Sequence, residues 1–185
     1  MTLARSKLLT FEQYVTYDDG TDCRYELMAG RLIAMVPPTG RHSIIVERIH
    51  DLLKTEIQRL ALPWVARREI GVRVGLESSR TPDLCAMTLE QEQSVRDVPA
   101  VLQTPPLLVV EVVSPSTTKT DYRAKRSEYA VCGIPEYWIV DADAAKVTVL
   151  TLVEGFYDLS EFRDDERILS ATFTALVVTA RDVLR

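Results

Sequence analysis

The chain has 185 residues, 46% hydrophobic and 26% charged, with a formal net charge of −5; that length supports one core but not comfortably two, so a single domain over residues 1–185 is expected. This composition excludes a disordered chain, and the longest apolar stretches are broken by charge or proline well before they could cross a bilayer. The acidic balance argues against a nonspecific polyanion binder, which carries a basic footprint.

The opening MTLARSKLLTFEQY has neither the apolar core nor the cleavage site of a signal peptide, which points to the cytoplasm. Residues 10–17 read as a short helix with Thr10 as its N-cap. In RYELMAGRLIAMVPP, from Arg24, two β-rich runs flank Ala29 and Gly30, a hairpin stopped by Pro37 and Pro38. Over residues 41–60, Ile44, Ile45, Ile49, Leu52, Leu53, Ile57 and Leu60 recur near a spacing of about 3.6, which predicts an amphipathic helix closed by Pro63. Residues 64–74 read as a strand or hairpin arm. TPDLCAMT enters a further strand through Pro82, and residues 89–103 read as a polar surface excursion. The run PPLLVVEVVSP has the continuous apolar character of a strand buried on both faces, broken by one charge, Glu111. Residues 117–132 predict a helix ended by Gly133. IPEYWIVD and KVTVLTLV predict two more strands, and ATFTALVVTARDVLR a tail that packs back onto the body.

This order predicts an α/β fold, a central mixed sheet flanked by helices with an N-terminal hairpin. Neither GxGxxG nor GxxxxGK[ST] occurs, which disfavours a nucleotide loop, and no GxSxG elbow is present. Cys23, Cys85 and Cys132 are odd in number and widely spaced, as expected of reduced, buried thiols.

Glu111 is the leading candidate for chemistry, because an ionised carboxylate inside a buried strand costs several kcal/mol unless it is paired or binds a cation. Asp83, directly after Pro82, is its natural partner, and two carboxylates from neighbouring strands can hold Mg²⁺. The plain alternative is that Asp83 caps a turn and Glu111 pairs with an Arg or Lys. Lys125 could orient or help deprotonate an attacking water and steady phosphate charge. In DYRAKRSEY, Asp121, Lys125 and Tyr129 fall at i, i+4 and i+8 on one stripe, whose inner face could look back at Glu111. Glu26 is a weaker fourth carboxylate. His42 could approach a phosphate or merely cap its helix, and its spacing from His50 does not suit a shared metal. Arg67, Arg68, Arg73 and Arg80, then Lys119, Arg123, Lys125 and Arg126, form two basic clusters that could meet phosphates or be solvated faces.

Four stretches, RYELMAGRLIAMVPPTGRH, TPDLCAM, PPLLVVEVVSPST and DYRAKRSEYAVCGIPEYWIVD, together resemble the Uma-two (Uma2) family, also described as domain of unknown function 820, within the PD-(D/E)XK nuclease superfamily. The resemblance runs from about Tyr25 to Val149. It implies a restriction-endonuclease-like core and an endonuclease that hydrolyses DNA with Mg²⁺ or Mn²⁺. Asp83 and Glu111 match the family's metal-binding acids, Lys125 the lysine supplied from the following helix, Glu26 a recurrent Glu and His42 a recurrent His; Lys119 and Arg123 would join His42 in binding substrate. The chain departs from the superfamily pattern at Val113, where a lysine is expected. That departure and the acidic charge leave open an inactive binding or dimeric interaction module. Fold analogy and the prevalence of two-fold dimers imply a homodimer.

Overall fold

The computed structural model describes residues 8–115 and 117–185; residues 1–7, on which part of the signal-peptide reading rests, lie outside them. Helix α1 (Phe11–Val15) begins at a capping box in which Thr10 and Gln13 satisfy each other's backbone amides. Strands β1 (Tyr25–Met28) and β2 (Arg31–Ala34) form the expected hairpin. Ala29 and Gly30 have φ of 47° and 79°, the left-handed pair that a two-residue hairpin turn matching strand twist demands. Helix α2 (Gly40–Arg59) is capped by Thr39 and buries Ile45, Val46, Ile49, Leu53 and Ile57.

The remaining elements are β3 (Trp64–Arg68), β4 (Gly71–Gly75), β5 (Ser78–Arg80), β6 (Leu84–Thr88), α3 (Leu89–Ser94), β7 (Val101–Leu102), β8 (Leu108–Val112), a π-helical turn (Thr120–Lys125) continued by α4 (Arg126–Cys132), β9 (Glu136–Asp141), β10 (Lys146–Val153), β11 (Phe156–Phe162) and α5 (Ala180–Leu184). The strands build two mixed sheets rather than the one expected: five strands in the order β2-β1-β5-β4-β7 and six in the order β11-β10-β9-β8-β6-β3. Residues 64–74 are where sequence and structure part. Glu69, at φ 59°, turns the chain so that β3 pairs with β6 while β4 pairs with β5 and β7 in the other sheet. At Gly71 an added Cβ would lie 2.8 Å from Val101 Cγ2, so β7 can approach only a glycine. The stretch 89–103 is accordingly more than an excursion, since Leu102 is buried in this contact.

The six-stranded sheet is the middle layer. Its strands alternate faces: Leu84, Ala86, Leu108, Val110, Val112, Trp138 and Val140 pack with α2, α5 and the tail residues Phe173, Leu176 and Val178, whereas Cys85, Met87, Val109, Tyr137 and Ile139 pack with α4 and the five-stranded sheet. Cys85 is buried and Cys132 half-buried, but Cys23 is exposed in the polar loop before β1, contrary to expectation. Among the described residues no helix is long and apolar enough to cross a membrane.

The returning tail is fastened by a buried carboxylate. Glu136 accepts from Trp138 Nε1 at 2.5 Å, Ser170 Oγ at 2.7 Å and the Thr172 amide at 2.6 Å. Glu136→Ala strands these donors, and at 1–3 kcal/mol for each buried unpaired group it should destabilise the fold by about 3 kcal/mol or more. Urea unfolding measures this; an unchanged midpoint would show that the tail is held otherwise.

Candidate active site

Strand β8 lies between β6, antiparallel to it, and β9, parallel to it. Leu84 pairs with Val110, so one step further the same register sets Asp83 opposite Glu111. Proline at position 82 has no N–H to continue the ladder. Asp83 closes it instead, its Oδ2 accepting the Val112 amide at 2.7 Å and lying 3.1 Å from His42 Nε2 on the first turn of α2.

Glu111 is 3% exposed and on the face toward α4. Lys125 Nζ is 2.8 Å from its Oε2, and the Tyr129 hydroxyl donates to its Oε1 at 2.6 Å. Asp121 Oδ1 lies 3.1 Å from the same ammonium, yet receives no well-aligned hydrogen bond. Residues eight apart on a regular α-helix drift about 80° around it. The π turn rotates less per residue, offsetting this drift, and so keeps Asp121, Lys125 and Tyr129 on one side. Tyr137, from β9, donates to the Asp121 carbonyl at 3.1 Å and stacks edge-on against Tyr129 at 4.9 Å.

Burial pushes the Glu111 carboxyl up to about 8; the Lys125 ammonium pulls against this, and Asp83 and Asp121 add to it. Burial also raises Asp121. For Lys125 burial acts downward, but Glu111, then Asp121 and Glu26, outweigh it and hold the proton firmly. His42 is raised in the same way, its burial outweighed by Asp83. Glu26 sits apart from the carboxylate cluster: its Oε2 accepts from Arg80 Nη1 at 2.8 Å and its Oε1 from the Thr81 amide at 2.9 Å.

The first basic cluster is not a free phosphate surface. Arg80 is buried, Arg67 and Arg68 pair with Glu92 and Glu47, and Arg73 lies over the Phe11 ring at 4.0 Å. Of the second, Lys125 is buried, while Lys119 and Arg123 are exposed around the π turn. Sequence reasoning gave Asp121 and Tyr129 no role of their own, although their stripe marked them, and it counted Arg80 as a surface cation. Elsewhere on α2, Glu47, His50 and Asp51 bring ligand atoms within 4.8 Å of one another, but Glu47 is engaged by Arg68 and His50 Nε2 lies 3.3 Å from the Ala66 carbonyl. A cleft of about 800 Å³ lined by Ile44, Leu52, Leu176 and Val177 among others holds none of the carboxylates Asp83, Glu111 and Asp121.

Lys125→Met would leave Glu111 and Asp121 buried without their cation. Breaking such a pair costs about 3–5 kcal/mol, so the variant should melt well below wild type at neutral pH, and an equal melting temperature would dissolve the claimed interdependence.

Comparison with known proteins bears on the fold and the family. A crystal structure described as "a putative nuclease belonging to DUF820", from Anabaena variabilis, superimposes with a TM-score of 0.79 over 95% of this chain and 97% of that one, at 18% identity. The two therefore share a mixed α/β architecture. No curated protein matched the sequence. The family model Uma2, described as "Putative restriction endonuclease", matches residues 11–181, and the chain belongs to that family.

Proposed function

We propose that the protein is a divalent-metal-dependent endonuclease that hydrolyses DNA phosphodiester bonds, with Mg²⁺ or Mn²⁺ held by Asp83 and Glu111. The observation that carries the reading is a cluster of acids: Glu111 and Asp121 share the Lys125 ammonium, and Asp83, held by His42 and the Val112 amide, lies close enough to act on Glu111. The donors fit such an ion. They are carboxylate oxygens, which suit a hard cation, and the buried Asp121 Oδ1 lacks an aligned partner. Asp83, with 24% of its side chain exposed against 4% for Glu111, is the approach from solvent. When bound, the cation supplies polarisation of the scissile phosphate and a more acidic water.

The protein's own groups do the rest. Lys125 is a fixed positive charge that orients water and steadies charge on the phosphate; with its proton held by Glu111 and Asp121 it is not the base. His42, leaning on Asp83, faces substrate at the open side, and Lys119 and Arg123 meet flanking phosphates. Glu26 acts at a distance, by fixing the Thr81 amide ahead of Asp83.

Plasmid and single-stranded DNA incubated with Mg²⁺ or Mn²⁺ should be cut by wild type and spared in EDTA. Asp83→Ala, Glu111→Ala and Lys125→Ala should each lose about 10²–10³-fold in rate. If all three cut like wild type, the assignment is wrong. One observation favours the second reading, an inactive binding module: Lys125 already serves Glu111 as an internal counter-ion at 2.8 Å. Calorimetric Mg²⁺ or Mn²⁺ binding that disappears in Glu111→Ala decides against it.

We also carry the two-fold homodimer as part of this proposal, on the base rate for soluble oligomers. Light scattering should give about twice the 20.9 kDa chain mass; a monomer at working concentration removes it.

A further inference from the structure

We propose that Arg80 is a positioning residue that fixes both halves of the carboxylate site at once. Its guanidinium is buried, with 3% of the side chain exposed. It uses its whole fork: Nη1 donates to Glu26 Oε2 at 2.8 Å, while Nε and Nη2 donate to the two oxygens of Glu128 at 2.6 and 2.8 Å. Strand pairing prepares this contact, because Leu27 faces Ser79 across β1 and β5 and one further step sets Glu26 beside Arg80.

Each partner of Arg80 leads to a different side of the site. Glu26 also accepts the Thr81 amide at 2.9 Å, and with proline at 82 that amide is the last backbone donor before Asp83. Arg80 therefore holds the segment that presents Asp83. Glu128 stands on α4 between Lys125 and Tyr129, the two side chains that grip Glu111. A bidentate bond to Glu128 fixes the rotation of α4 just after the π turn, where an error would swing both side chains off the strand. A lysine cannot replace this role, since an ammonium is a point donor without the planar fork that meets two carboxylates together.

The catalytic side of this inference rests on the hydrolase reading above; the positional side does not. Arg80→Met, Arg80→Lys and Glu128→Gln are compared with wild type by two measurements. The first is proton NMR of the metal-free protein, in which the short buried Tyr129–Glu111 hydrogen bond should give a downfield hydroxyl resonance. It should vanish or move upfield in Arg80→Met and shift partly in Glu128→Gln. The second is steady-state cleavage, in which kcat should fall about 10²-fold, as for a displacement of about 1 Å at a reacting centre, with KM for DNA within about threefold of wild type. Arg80→Lys should restore melting temperature more than it restores kcat. If Arg80→Met does not fold, Arg80→Lys and Glu128→Gln carry both measurements. An unmoved hydroxyl resonance in the folded variants overturns the proposal. So does a wild-type kcat in Arg80→Lys. If wild-type protein itself cuts no DNA, the hydrolase reading fails, and the resonance alone still decides whether Arg80 positions the site.

Discussion

A carboxylate in the middle of a strand buried on both faces is the constraint to which the surrounding elements answer. Glu111 cannot reach water, and left alone it would cost several kcal/mol. Every neighbour offers part of the compensation: an ammonium from the π turn, a phenol from α4, and beyond them an arginine fork that stops the helix from rotating away. Compensation stays incomplete, because Glu111 shares its lysine with Asp121 and has Asp83 close by. An apolar sheet core does not tolerate such an imbalance unless something gains from it, and a site that accepts positive charge from outside is the plainest gain.

The layered packing explains how the site is both sealed and reachable. Glu111 points into the layer shared with α4 and the five-stranded sheet, where Tyr129 and Tyr137 lie beside it. Asp83 stands just before its strand begins, at the border where α2 brings His42 over the sheet. One acid is thus desolvated and the other remains wet. The likeness to the Anabaena structure at 18% identity is one of fold, since many apolar sequences satisfy the same layered packing.

Much of the site was legible because charge inside an apolar run is a local signal: Glu111 stands out in PPLLVVEVVSP, and Pro82 marks Asp83. The stripe of Asp121, Lys125 and Tyr129 was legible as spacing. What escaped was non-local. Hydrophobic periodicity tells which face of a strand is buried but not which strand it pairs with, so the single expected sheet became two at Glu69. Strand β5 is three residues long and too polar to show alternation. Arg80 looked like any exposed arginine, since its two acids lie 54 and 48 residues away in sequence. The π turn has no composition of its own.

That turn bears on which changes of chain length the protein could accept. Because residues 120–125 are already wound more loosely than an α-helix, one residue inserted between Asp121 and Lys125 would turn everything before it by about 100° relative to α4. Asp121 would then face away from Lys125 even though every side chain in the stripe were still present. Substitutions at the outward positions Lys119 and Arg123 leave this winding alone. The segment is therefore measured in residues rather than in chemistry: its count acts as a ruler between the strand that ends at Val112 and the helix that begins at Arg126.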